Sequence, residues 1–346
     1  MDRVPPAHPR GGRTEPLGKI ADHARWAQGA TNRGRSREDK EWIRGTARLT
    51  PMRNLLTELL GHLNLERIEE NLFRGQSQDL GWGRVFGGQI LAQALSAARH
   101  TVSPERAAHS LHAYFLRPGS VDRPVVYTVD PIRDGGSFTT RRVVAVQNGQ
   151  AILNLAASFQ THESGFEHAD PMPSAPPPDA LADERELGQR YLAGLPEAVL
   201  ARIPQGIRDR TRSPHPIEIR PVAPVDPLKP GTRPPRRQVW IRAAAPLPDR
   251  PEIHRMLLAY ASDFHLLTTS LQPHGVTWMD PGVQVASLDH SMWFHRAFRI
   301  DHWLLYDLES PSASGARGIV RGRFFDPSGR LVASVVQEGL IRDRRS

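Results

Sequence analysis

Cysteine is absent from the chain. That excludes disulfides, thiolate metal sites and a cysteine nucleophile, and it is compatible with a reducing compartment. No apolar run approaches the roughly 20 residues that a membrane-spanning helix needs. The opening stretch MDRVPPAHPRGGRTEP lacks the apolar core of a secretory signal. The expectation is a soluble cytoplasmic protein with no membrane span. Several catalytic signatures are missing as well: no GxSxG elbow of a serine hydrolase, no HExxH, no zinc-type Cys/His spacing and no GK[ST] phosphate loop. His290 and His295 lie five apart on an expected strand, face opposite sides and make a poor metal pair. No metal site is expected.

The chain has 346 residues, of which 39% are hydrophobic and 24% charged, enough for one large domain or two small ones with a proper core. Its net charge of +8 is uneven: residues 1–50 supply +5 and leave +3 for the rest. Residues 1–50 are rich in Arg, Gly and Pro and show no apolar periodicity, so they read as a disordered basic N-terminal extension. Met52, or a codon near it, is expected to be the natural start, with activity retained after deletion of residues 1–50.

Beyond Met52 a pattern repeats. RVFGGQILAQALSAARHTV (84–102) sets Val85, Phe86, Ile90, Leu91, Ala94, Leu95 and Ala98 at helical spacing, with alanines filling the gaps, as in a helix buried all round. Four strand-like runs follow it, two of them joined by the hairpin signal QNGQ. Residues 161–214 are Pro-rich with a short helical stretch and read as a linker. The order then recurs: the strand RRQVWIRAAAPL, a helix over 252–270, and further strands, with DPSG as the hairpin turn. SLHAYFLR aligns with SLDHSMWFHR; Ser110 and Ser287 are 177 residues apart, and the turn glycines Gly149 and Gly329 are 180 apart. Similar offsets over similar elements indicate an internal duplication. The expected fold is α+β, a double hotdog: two tandem repeats, each an antiparallel sheet wrapped around a long central helix. The repeats fall at 51–160 and 215–346, the second carrying the chemistry. A single hotdog leaves a sheet edge open, and a second copy covers it.

The strand around Ser287 is unusually polar. Period-two alternation puts Val285, Ser287, Asp289, Ser291 and Trp293 on one face and Leu288, His290, Met292 and Phe294 on the other. The matching face in the first copy carries Ser110, His112, Tyr114 and Leu116. These groups either line a site or hydrogen-bond their neighbours inside the sheet. Asp263 lies late in an otherwise apolar helix, LLAYASDFHLL. Burial there and the helix C-terminal half both raise a carboxyl's proton affinity, as suits a general base, unless the helix surfaces and Asp263 meets solvent. His265, pointing elsewhere round the helix, reads as structural. Gln337 is a neutral amide in the alternating strand VVQEGLIRD, able to donate and accept together. GRVFGGQ (83–89) offers bare backbone amides at a helix mouth, for a carbonyl or an anion, or else merely permits close packing. Gly87, Gly88, Gln89, His112, Asp289 and His290 are candidate substrate-binding residues.

At LFRGQSQDLGWGRVFGGQ, LHAYFLRPG, FEHADPMPSAPPPD, RQVWIRA, YASD, LDHSMWFHR, SGARG and VQEGLIR, in that order, the chain resembles the type II acyl-CoA thioesterases, the TesB-like double-hotdog family. The resemblance runs from about Met52 to Asp343 and leaves residues 1–50 without a counterpart. It implies hydrolysis of acyl-CoA thioesters to free fatty acid and CoA with no metal or organic cofactor. It also implies a water oriented by an Asp, a Thr or Ser, and a Gln, which fall on Asp263, Ser287 and Gln337. Ser287 stands where Thr is common in the family: the hydroxyl is kept and the stiffening methyl is lost. Nucleic acid is not an expected partner; a homo-oligomer is, because sheet edges remain after duplication. Two other readings stay open. One is a hotdog enoyl-CoA hydratase or dehydratase, which would need an Asp and His pair on the loop into the helix. The other is a basic binding module acting on nucleic acid through residues 1–50.

Overall fold

The computed structural model describes residues 52–227 and 229–345. The expected basic extension over 1–50 lies outside them. The chain begins with a helix over 52–63 (α1), followed by β1 (Glu66–Glu69), β2 (Leu72–Gly75), α2 (Gly87–Arg99), β3 (Arg106–Phe115), β4 (Val125–Asp134), β5 (Phe138–Gln147) and β6 (Gln150–Thr161). Short helices fill the connection: α3 (Glu184–Ala193), α4 (Glu197–Leu200) and α5 (Gln205–Arg212). The remainder is β7 (Ile217–Pro221), β8 (Arg236–Ala243), α6 (Pro251–Ser262), a 3-10 segment Leu267–His274, β9 (Val283–Ser287), β10 (Asp289–Phe294), β11 (Leu304–Ser314), β12 (Arg317–Phe325) and β13 (Leu331–Asp343).

All the strands belong to one antiparallel sheet, in the order β1-β2-β4-β5-β6-β3-β10-β13-β12-β11-β8-β7, with β9 paired to β13. The two sides of this order mirror one another. In each, with β9 and β10 counted as one broken strand, a strand precedes the central helix and pairs with the second strand after it, while the strand directly after the helix pairs with the last one. That leaves β3 and β10 as the inner edges of the two halves. They pair with each other, Ser110 opposite Trp293 and His112 opposite Ser291, so each edge satisfies the other's backbone groups. SLHAYFLR and SLDHSMWFHR are therefore the seam of the molecule. Asn148 (φ 51°) and Gly149 (φ 73°) make the two-residue turn between β5 and β6, where Asn and Gly tolerate left-handed backbone.

The helix α2 has no solvent face. Every residue from Gly88 to Ala98 is buried, and Leu91, Ala92, Ala94, Ala97 and Ala98 are fully so. Each buried leucine or isoleucine on it contributes about 1.5–3 kcal/mol, and the alanines let sheet and partner helix approach closely. That partner is α6, which runs antiparallel to α2. The N-terminus of α2 meets the C-terminus of α6 at Gly88 and Tyr260, while Arg99 at the far end lies in the field of Glu252.

Both helices are shorter than their apolar periodicity suggests. The helix over 84–102 is Gly87–Arg99, and the helix over 252–270 ends at Ser262. The second difference matters. His265 adopts left-handed backbone (φ 62°), its Nδ1 held 2.9 Å from Arg237 Nη1, and the apolar run resumes as the 3-10 segment. Periodicity survives such a break, so sequence alone does not register it. Asp263 is consequently the C-cap of α6 rather than a residue within the helix.

Candidate active site

Asp263 points from the end of α6 to the start of α2. Its carboxylate accepts a hydrogen bond from the Gly88 N–H and another from Gln337 Nε2, whose distance to Oδ1 is 2.9 Å. Burial raises the Asp263 pKa above the ordinary carboxyl value; the bonds from Gln337 and Gly88 pull it down but do not cancel the rise. The N-terminal end of α2 also places a positive dipole end against this carboxylate.

Gln337 is fully buried on the inner face of β13, between Val335 and Gly339. One N–H reaches Asp263, and the same nitrogen lies 3.2 Å from His290 Nδ1. Its Oε1 is buried and has no hydrogen-bond partner among the described residues. An unmet buried acceptor costs about 1–3 kcal/mol, so this oxygen is a place where a donor belongs. His290 is also fully buried, its Nε2 3.0 Å from Ser262 Oγ. Burial drives its pKa down to about 3, so the ring is neutral. Both ring nitrogens are engaged, and His290 offers a substrate no polar atom.

Strict alternation put Ser287 and Asp289 on one face and His290 on the other. The structure differs, because the strand breaks at Leu288. Leu288 N–H bonds to the Glu338 carbonyl (3.0 Å), Phe115 N–H takes the Leu288 carbonyl (2.9 Å), and the Asp289 carboxylate accepts from the Glu338 N–H (2.6 Å). Leu288 and Asp289 thus stand together against Glu338, a bulge that inserts one residue and reverses the phase. Ser287 lies opposite Gly339, on the inner face that carries Gln337, and His290 returns to that same face. Asp289 pairs opposite the exposed Tyr114 on the outer face, its side chain holding the bulge. Ser287 is half-buried, and its hydroxyl bonds to neither Asp263 nor Gln337.

The other candidates divide. Gly87 and Gly88 adjoin Asp263: a Cβ on Gly87 would stand 2.6 Å from Asp263 Oδ2, and one on Gly88 would collide with the Tyr260 carbonyl oxygen. Gly88→Ala is therefore expected to pry α2 from α6, costing about 1–3 kcal/mol by overpacking and lowering kcat. Thermal unfolding beside steady-state kinetics checks this; unchanged melting would show that the helices yield freely. Gln89 is not at the carboxylate. It fixes the preceding loop, donating to the Gln76 carbonyl (2.8 Å) and accepting from Gln78 N–H. His112 is exposed on the outer face, with Nδ1 3.1 Å from Ser291 Oγ and its ring edge-on to Trp293. The first half presents Leu111, Ala113, Leu155 and Ala157 where the second presents His290 and Gln337.

Two participants escape sequence reading. Ser262 bridges His290 and the Ala259 carbonyl, and Tyr306 on β11 donates to the Ser262 carbonyl (2.8 Å), fixing the end of α6. A lone tyrosine in the aliphatic run WLLYDL is the one signal that marks the second. Among the described residues no helix is long and apolar enough to cross a membrane, and no three metal-ligating side chains converge.

A single sheet wrapped around two antiparallel helices, with an ionisable carboxylate and a buried amide where the helices meet, defines a double-hotdog enzyme. Residues 208–340 match the acyl-CoA thioesterase family model, and residues 77–160 that of the acyl-CoA thioesterase N-terminal domain. The chain is 41% identical over 292 residues to acyl-CoA thioesterase 2 of Haemophilus influenzae, spanning 84% of this chain and 99% of that protein. It is 43% identical to human acyl-coenzyme A thioesterase 8 over 283 residues, 81% of this chain and 87% of that one. The crystal structure of an acyl-CoA thioesterase II from Mycobacterium marinum superposes with a TM-score of 0.66 at 42% identity, covering 82% and 98% of the two chains. This chain belongs to the acyl-CoA thioesterase family.

Proposed function

We propose that the protein hydrolyses acyl-CoA thioesters to free fatty acid and CoA, using a water held by Asp263, Gln337 and Ser287 and forming no covalent intermediate. The observation that carries this reading is the open, buried Oε1 of Gln337 beside a carboxylate of raised proton affinity. A water donating one hydrogen to Gln337 Oε1 and the other to Asp263 satisfies the orphaned acceptor and aims a lone pair outward. Ser287, on the same inner face, supplies a further hydroxyl at the rim.

In the reaction Asp263 removes a proton from this water as its oxygen adds to the thioester carbon. The carbonyl oxygen becomes an oxyanion at the N-terminal end of α2, where the helix dipole favours negative charge. Collapse expels the CoA thiolate, and the proton on Asp263 returns to the sulfur, regenerating the carboxylate. The elevated proton affinity serves both steps, since a raised carboxyl pKa makes the base stronger and brings it nearer the operating pH. Holding the water in line removes orientational entropy from the barrier.

The test is release of free thiol from saturated acyl-CoAs of graded chain length, which have no double bond to hydrate. Thiol release with matching loss of thioester is the expected result. Hydration of an enoyl-CoA, with no thiol released from any saturated substrate, would overturn the reading in favour of a hydratase.

A further inference from the structure

An amide side chain can present either its oxygen or its NH2 group to the open side, by a half-turn about its last torsion. While Asp263 is ionised it only accepts, and the carboxylate alone selects the observed orientation of Gln337. Once Asp263 has taken the proton it becomes a donor, and that selection disappears while the tetrahedral intermediate must still be held. We infer that His290 is a positioning residue whose Nδ1 lone pair holds the Gln337 amide in one orientation throughout the cycle, so that Oε1 always faces the water. The inference rests on the reading of Asp263 and Gln337 as the water-holding pair.

The donor and acceptor order fixes this role. The Ser262 hydroxyl donates to the Ala259 carbonyl at 2.9 Å, so its oxygen is left to accept. His290 Nε2, 3.0 Å away, must then carry the ring proton. Nδ1 is left bare, and among the described residues the group within hydrogen-bonding distance of it is Gln337 Nε2, at 3.2 Å. With the amide turned over, Oε1 would oppose the Nδ1 lone pair in a fully buried setting, where such a clash is costly. The Ser262–His290 pair therefore acts on Gln337 whatever the state of Asp263, and the same burial that keeps the ring neutral keeps the lone pair available.

The test compares His290→Leu, His290→Asn, Gln337→Leu and the double variant His290→Leu/Gln337→Leu in the full chain, by steady-state kinetics and thermal unfolding. His290→Leu is expected to lower kcat roughly 10- to 100-fold, the scale of a misplaced catalytic group, with KM for acyl-CoA little changed. His290→Asn, whose Oδ1 falls near the position of Nδ1, is expected to recover most of that loss. Because His290 acts through Gln337, the double variant should be no slower than Gln337→Leu alone. Wild-type kcat in His290→Leu, multiplying losses in the double variant, or a well-folded His290→Asn as slow as His290→Leu would each overturn the inference. If His290→Leu does not fold, Ser262→Ala, which frees the ring tautomer, should lower kcat several-fold at constant KM, and unchanged kcat there overturns it. A Gln337→Leu enzyme as fast as wild type would overturn the water-holding pair itself, whereas a slow Gln337→Leu beside a fast His290→Leu removes only the role of His290.

Discussion

Asp263→Asn is expected to lower kcat by about 100-fold or more, the usual scale for a general base, without destabilising the protein. The two halves of this expectation share one cause. Burial raises the Asp263 pKa in the folded state above its unfolded value near 3.8. A group shifted in that direction contributes stability only while protonated: the contribution is present below the unfolded pKa and is lost as pH rises through the folded one. At neutral pH the ionised carboxylate is thus a net cost of folding, which the neutral amide removes. The Asn oxygen still accepts from Gln337 or Gly88. The variant should melt at the same temperature as the wild type or higher at neutral pH, with any advantage fading below roughly pH 4, where the wild-type carboxyl is itself neutral. The wild-type rate should fall on the acid side with an apparent pKa above that of an ordinary carboxyl, and this limb should vanish in the variant. A variant that keeps its kcat removes Asp263 from the chemistry; one that loses both kcat and melting temperature makes the residue a structural cap.

An enzyme that becomes more stable on losing its base has placed that base where function, not folding, requires it. The same holds for the open acceptor on Gln337, which no group among the described residues satisfies. Such departures from self-consistency are what made part of the site legible in the sequence. Asp263 stands out in the sequence as a carboxylate in an apolar helix, and Gln337 as an amide where valines alternate. The duplication was legible too, since helices buried all round and strands of period two leave a trace wherever they occur, and the offset between Ser110 and Ser287 registers two copies of one unit. What stayed hidden depends on phase and partner. The bulge at Leu288 and Asp289 moves a strand's worth of side chains to the other face, yet nothing in VASLDHSMWF announces it, because the group that stabilises it, Glu338 N–H, comes from a different strand. The end of α6 at Ser262 was hidden for the same reason: the left-handed turn at His265 is held by Arg237 and Glu184, distant in sequence. From sequence alone His290 reads as a substrate contact, because its two partners, Ser262 and Gln337, meet it only in the folded chain.

Gln337→Leu is expected to be the second most damaging substitution, with kcat lower on the order of 100-fold and KM little altered. Leucine fills nearly the same volume but removes three things at once: the acceptor facing the water, the donor to Asp263 Oδ1 and the donor to His290 Nδ1. Because the bond from Gln337 pulls the Asp263 pKa down, its loss should raise that pKa further and carry the acid limb of the rate profile to higher pH. A glutamate at this position separates the electrostatic part of the effect from the rest. Gln337→Glu sets a second carboxyl within hydrogen-bonding distance of Asp263, and two carboxyls so close share one proton rather than ionise together. The pair then titrates as a unit, and Asp263 is withdrawn from base catalysis until the pH is high enough to remove the shared proton. The glutamate variant should therefore regain activity steeply with rising pH, while the leucine variant, whose water has lost an acceptor at every pH, should stay slow on the alkaline plateau. The measurement is kcat against pH for both variants. Equal recovery in the two would mean that Gln337 acts only by tuning Asp263, and wild-type rates in the leucine variant would mean that the water is held elsewhere.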